Sequence, residues 1–306
     1  MLRISSEVDR AGALRARAQA AVGRAPLRSS GMSSPAKLGC RREAQLRIKS
    51  REAAADTHCV DAALAAIFLA PGLALGSFLN VVAARVPLRR SIVRPPSACM
   101  TCETEIAWYD NVPLLSYGLL RGRCRACASS IPVRYPLVEL TTALLVAGCV
   151  WKFGLSADAA VASFFCAALV AVSATDLEHR IVPNGVVVPA AAVALLAQSA
   201  LHPSVEWLLA GFGASGFLFA AALGYPKGMG MGDVKLALLL GVMLGRTVPV
   251  ALMLGMLAAL VPSIVLVARH GASARRMGIP LAPFLALGGV IALFAGHGLL
   301  DVYLAV

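Results

Sequence analysis

From Asp61 onward the chain alternates long apolar runs with short polar breaks. Each run approaches the roughly 20 residues that a helix needs to cross a hydrocarbon core. The runs cover 62–84, 137–154, 157–175, 183–201, 205–224, 234–245, 247–268 and 280–301. This pattern predicts an all-α polytopic membrane protein with about eight transmembrane helices. The sixth run is short and interrupted by glycine, so seven spans is the competing count. The only long polar insertion, 85–135, lies between the first two runs. Residues 1–60 are different: rich in Ala, Arg and Ser, without a sustained apolar face, they read as a disordered basic extension. Either a transit-like peptide or a misplaced upstream start fits that segment, and it is expected to be absent from the working protein. The chain then divides into 1–60, a first helix with its polar loop at 61–135, and a helical membrane domain at 136–306.

Composition agrees with this division. Of 306 residues, 58% are hydrophobic and 14% charged, against roughly 25% charged in soluble domains. The net charge is +12, which invites a nucleic-acid partner until its distribution is examined. Residues 1–60 carry 12 of the 28 basic residues and five of the 16 acids, a net +7. If the 85–135 loop is cytoplasmic, 14 of the remaining 16 basic residues fall inside and only Lys152 and Arg246 outside. That is a positive-inside signal, not a nucleic-acid footprint. It also favours eight spans, because losing the short sixth one would send Arg269, Arg275 and Arg276 to the far side. The extension opposes the orientation, with Arg41, Arg42, Arg47, Lys49 and Arg51 close to the first span; the body of the chain is given the greater weight.

Four of the eight cysteines, Cys99, Cys102, Cys124 and Cys127, form two CxxC pairs in the loop, CMTCETEI at 99–106 and CRACASSI at 124–131. Two such turns present four soft sulfur ligands to one centre, which suits tetrahedral zinc. Two disulfides or redox pairs are the alternative, disfavoured in a reducing cytoplasm. A closed four-sulfur site leaves no position for water, so the predicted zinc is structural. Glu103 and Ala128 stand where a knuckle glycine is usual.

Acids near membrane spans are few: Glu139, Asp176, Glu178, Glu206, Asp233 and Asp301. Such groups are functional candidates because burying charge in lipid is costly. Asp176 lies in SATDLEHRIVPN after the third run, and Asp233 in KGMGMGDVKLALLLG at the start of the sixth. Both fall at inside ends, where helices three and six bring two carboxyls together. Such a pair shares a proton, one member taking a proton from water while the other donates to a carbonyl. A helix cap or a solvated charge is the plain alternative for either Asp. Lys235 reads as a snorkelling side chain, with Asp233 as the alternative partner.

These residues resemble the prepilin peptidases, aspartic membrane proteases of the GxGD type. The resemblance is carried in order by GSFLNVVAARVP at 76–87, WYDNVPLLSY at 108–117, LLRGRCRAC at 119–127, IPVRYPLVEL at 131–140, DLEHRIVPN at 176–184, GMGMGDVKL at 228–236 and IPLAPFLALGG at 279–289. It implies an eight-helix enzyme of the bacterial inner membrane that removes the leader of type IV prepilins or type II secretion pseudopilins on the cytoplasmic side. Asp176 and Asp233 would be its catalytic pair, and Cys99, Cys102, Cys124 and Cys127 would bind Zn2+. The resemblance also implies N-methylation of the new N-terminus by S-adenosylmethionine, whose binding residues remain unknown. Prepilin or pseudopilin proteins and membrane lipid are the implied partners, with no nucleic acid. Glu178 and Glu139 are candidates to pair with the basic leader, or caps. A transporter using intramembrane carboxylates and a membrane-anchored zinc-ribbon adaptor remain as alternatives.

Overall fold

Each apolar run becomes a helix. In the computed structural model, which describes residues 62–224, 230–271 and 279–304, these are α1 (Leu69–Arg85), α2 (Arg134–Phe153), α3 (Ala157–His179), α4 (Asn184–Leu201), α5 (Glu206–Gly224), α6 (Met231–Leu244), α7 (Val248–His270) and α8 (Ala282–Leu304). The 1–60 extension, Cys40, Cys59, Gly228, Arg275 and Arg276 lie outside the described residues. Among those described, the chain is all-helical, with only two isolated bridges, Ala98–Glu105 and Arg123–Ser130.

Seven helical segments are long and apolar enough to cross a membrane, one of them the 40-residue stretch Met231–His270. That stretch is two helices rather than one rod. Gly245 adopts φ +55, and a 3-10 turn at Gly245–Thr247 separates α6 from α7. The start of α6 lies beside α4, where Lys235 Nζ donates to Asn184 Oδ1 at 2.8 Å. Its end lies beside the start of α5, where the Arg246 N–H donates to Glu206 Oε1 at 2.9 Å. α7 then returns antiparallel to α8, with Thr247 against Gly296 and Gly255 against Leu285. The multi-span membrane fold therefore contains the eight alternating helices read from the sequence.

With 14 residues, α6 is only about 21 Å long, short of the ~30 Å hydrocarbon core. Protein surrounds it instead of lipid: Leu236, Leu239 and Leu240 are fully buried. They pack with Phe165, Leu169 and Val172 of α3 and Leu285 of α8 in one core cluster. An all-round apolar sequence is what such an enclosed helix requires. Lipid tails are as apolar as Leu, so helix contact in a membrane depends on close packing at small residues. A Cβ on Gly76 would lie 2.6 Å from the Glu139 Cα, and one on Gly241 2.4 Å from the Ala210 carbonyl oxygen. These seams join α1 to α2 and α5 to α6.

Candidate active site and metal centre

The polar stretch after the third apolar run does not end its helix. Ser156 starts α3 by accepting the Ala159 N–H at 3.1 Å, and helical geometry continues through Asp176–His179 until Arg180 takes a left-handed φ of 54°. The Arg180 N–H closes the last turn on the Asp176 carbonyl at 2.9 Å. Asp176 therefore sits within the helix, one turn from its end and 6% exposed, not in the segment after it as the run boundary at 175 suggested. Asp and Glu are tolerable helix formers, so hydropathy falls there before helicity does.

Asp233 occupies the first turn of α6, its N–H bonded to the Gly230 carbonyl at 3.1 Å. That turn lies hard against the segment leading into α4. A Cβ on Gly232 would stand 2.6 Å from the Val182 Cβ, so only glycine permits the approach. Lys235 fastens the same seam through Asn184, and among the described residues no ion pair joins it to Asp233. Asp176 and Asp233, far apart in sequence, are brought to one end of the bundle, close enough for their charges to interact. A third element completes the arrangement: the N–H of Ala282, the first residue of α8, donates to Asp176 Oδ2 at 3.1 Å. Sequence reasoning missed this donor because a backbone amide has no residue signature, although the 279–289 segment had been singled out.

Of the two acids offered as leader partners, Glu178 already has a cation and Glu139 has only neutral donors. Glu178 is ion-paired with Arg134 at the start of α2. Glu139 Oε2 accepts the Leu114 N–H at 2.9 Å, anchoring the loop to α2.

In the loop the four cysteines converge. Cys99 and Cys127 Sγ atoms are 3.7 Å apart, Cys102 and Cys124 4.0 Å, and all four sulfurs lie within 4.8 Å of one another. Tetrahedral zinc with Zn–S bonds near 2.3 Å sets its sulfurs about 3.8 Å apart, so the donor set fits. Each CxxC forms the same turn: Glu103 N–H bonds to Cys99 O and Ala128 N–H to Cys124 O, at 3.0 and 2.9 Å. Glu103 and Ala128 adopt φ +56 and +57, the left-handed conformation that glycine would take without strain.

The turns also direct donors at sulfur. Backbone N–H groups of Cys102 and Thr101, with the Ser129 hydroxyl, hold the Cys99 thiol down to about 5. The Ser129 hydroxyl and N–H lower Cys127. Cys124 receives comparable bonds from Cys127 and Ala126, yet loss of solvent and protons shared with the Cys99 and Cys127 sulfurs leave it raised. Four sulfur donors packed this closely suit a cation among them. Next to the cluster, Asp110 forms a two-point ion pair with Arg125, at 2.7 and 2.5 Å. The guanidinium holds the Asp110 carboxyl below its ordinary range.

Comparison with known proteins follows the same partition. Residues 71–153 match the bacterial peptidase A24 N-terminal domain, and residues 163–264 match the type IV leader peptidase family. A prepilin leader peptidase/N-methyltransferase of Myxococcus xanthus is 42% identical over 59% of this chain and 56% of its own length. Proteins of the same name from Bacillus subtilis and Pseudomonas aeruginosa are 32% and 34% identical over 76% of this chain, and the matches span 95% and 91% of their lengths. No solved structure matches the chain. These similarities give no support to the transporter and adaptor alternatives.

Proposed function

The chain belongs to the type IV leader peptidase family, and from that premise we propose that it cleaves the leader of a type IV prepilin or type II secretion pseudopilin at the cytoplasmic face of the bacterial inner membrane, then methylates the exposed amine. Asp176 and Asp233 are the catalytic pair in this proposal. The observation that carries it is that these two carboxyls lie at one end of the bundle, near enough for their charges to interact, in an otherwise acid-poor membrane domain.

The chemistry follows from that pair. One carboxylate removes a proton from water while the other carboxylic acid protonates the scissile carbonyl oxygen. As the tetrahedral intermediate collapses, the C–N bond pair leaves on the amine, which takes up a proton from the pair. The Ala282 N–H engages Asp176 Oδ2, which orients that carboxyl and leaves Oδ1 for water or substrate. A prepilin carries its cleavage site between a charged leader and an apolar helix. A dyad at helix ends meets that bond with the substrate helix still in lipid, which avoids the cost of extracting it.

Cys99, Cys102, Cys124 and Cys127 hold zinc in this proposal, and the metal folds the loop. With four sulfur ligands it has no open position for water and takes no part in cleavage.

The test is cleavage of a prepilin-like substrate by the reconstituted protein, with Asp176→Asn and Asp233→Asn beside the parent. Each variant is expected to lose about 10²–10⁴-fold in kcat. Parental turnover in either would remove that residue from the dyad.

A further inference from the structure

The loop between α1 and α2 does not stand away from the bundle. Glu139, in the second turn of α2, packs against Gly76, where an added Cβ would lie 2.6 Å from the Glu139 Cα. Gly76 lies nine residues before α1 ends at Arg85, so this contact is about 14 Å inside that end. Glu139 Oε2 accepts the Leu114 N–H at 2.9 Å. That bond draws the middle of the loop back along the helices, to the depth where the apolar run of α2 begins at 137. The short helix Leu115–Leu119 starts at this anchor. The Ser116 hydroxyl donates to the Tyr109 carbonyl at 3.0 Å and holds the turn Trp108–Asn111 beside it.

A loop surrounded by water ordinarily buries its large apolar side chains. Here Trp108 is 83% exposed, Leu119 75% and Leu115 60%. Leu115 and Leu119 are four residues apart on a helix and share a face, while Ser116 is buried. Arg121 and Arg123 follow directly, both exposed, and neither forms an ion pair among the described residues. Water gives such a face no favourable partner for its apolar part. The boundary of a bilayer does: indole rings settle at headgroup depth, leucines reach the acyl boundary, and guanidinium groups meet phosphate.

On these grounds we infer that Trp108, Leu115, Leu119, Arg121 and Arg123 form a face that rests in the membrane surface, on the anionic phospholipid headgroups at the dyad's end of the bundle. Two observations choose lipid over a protein partner. The Glu139 anchor sets the face at membrane depth. The charges left unpaired over 108–123 are both positive, because Asp110 is taken by Arg125. The same loop carries Cys99, Cys102, Cys124 and Cys127, so the four-sulfur cluster is held at a fixed height beside the bundle. Arg134, at the start of α2, pairs with Glu178, two residues beyond Asp176, which places this end of the loop with the dyad. The surface is independent of the cleavage chemistry.

Full-length protein in nanodiscs tests this, since both faces of the bilayer stay open to solution. Trp151→Phe/Trp207→Phe leaves Trp108 as the single tryptophan. Phosphatidylcholine brominated near the headgroup end of its acyl chains is expected to quench Trp108 emission about twofold or more, and aqueous acrylamide to quench it weakly. Adding phosphatidylglycerol should strengthen the bromolipid quenching, and Arg121→Glu/Arg123→Glu should abolish that gain. A Trp108 open to acrylamide and untouched by bromolipid would overturn the inference. So would a Trp108 shielded from both quenchers, which means that protein covers it, either a second copy or another segment of this chain. Quenching indifferent to phosphatidylglycerol would overturn the headgroup contact. A second measurement needs no substitution: tryptic cleavage after Arg121 and Arg123 is expected to be about tenfold slower in phosphatidylglycerol nanodiscs than in detergent. Equal rates would overturn the inference even if the tryptophan variant failed to fold.

Discussion

Replacing Gly232 by alanine perturbs the dyad without altering either carboxyl. The new methyl would lie 2.6 Å from the Val182 Cβ, where carbon atoms settle at about 3.5–4.0 Å. Relief of the overlap requires the first turn of α6 to back away from the 180–183 segment by about 1 Å. Asp233, the next residue, moves with it and away from Asp176, which is held in place by α3 and by the Ala282 N–H. A 1 Å misplacement of a reacting group costs about 10²-fold in rate, equivalent to about 2.7 kcal/mol of barrier. Steady-state cleavage of a prepilin-like peptide in proteoliposomes measures this, with the loss expected in kcat and KM little changed. Val182→Gly removes the opposing Cβ, so the double variant Gly232→Ala/Val182→Gly is expected to recover much of the loss. Parental turnover by Gly232→Ala, in protein of unchanged thermal stability, would refute the positioning role assigned to this contact.

Other outcomes follow from the loop and the helix seams. Cys99→Ser/Cys102→Ser is expected to lose bound zinc, read by elemental analysis, and to expose the 99–127 loop to limited proteolysis; zinc-free parent protein with a protected loop would contradict the metal assignment. Glu103→Gly/Ala128→Gly relieves two left-handed residues, each costing about 1 kcal/mol, so zinc retention against a competing chelator should rise. Gly288→Ala would place a Cβ 2.1 Å from the Ala251 carbonyl oxygen and 2.7 Å from the Gly255 nitrogen. Because backbone atoms cannot swing aside, α7 and α8 must part, at a cost of about 1–3 kcal/mol visible as a lower melting temperature in detergent.

Most of the helical layout was legible because lipid imposes a simple rule: backbone polar groups must be satisfied within the segment, so an apolar run of sufficient length becomes a helix. The runs at 183–201 and 205–224 agree with α4 and α5 to within a residue. The third run understated its helix because hydropathy stops at the polar residues Asp176–His179 while the backbone continues. The short sixth run was legible as unusual, but not its enclosure by neighbouring helices. Cysteine spacing revealed the four-sulfur cluster because a CxxC turn is local and places two sulfurs by itself. Lys235 could not be assigned from sequence, since its partner Asn184 becomes a neighbour only when α4 and α6 pack.

The sequence by itself determined the class of molecule, the number of alternating helices, the cysteine donor set and the short list of acids, all of which follow from local composition and spacing. Only the tertiary structure decided that Asp176 and Asp233 come close enough for their charges to interact and that the α8 amide engages one of them. A 57-residue separation carries no distance; helix packing supplies it. The close contact at Gly232 shows how, for without a side chain there the first turn of α6 seats against the segment that follows the helix of Asp176.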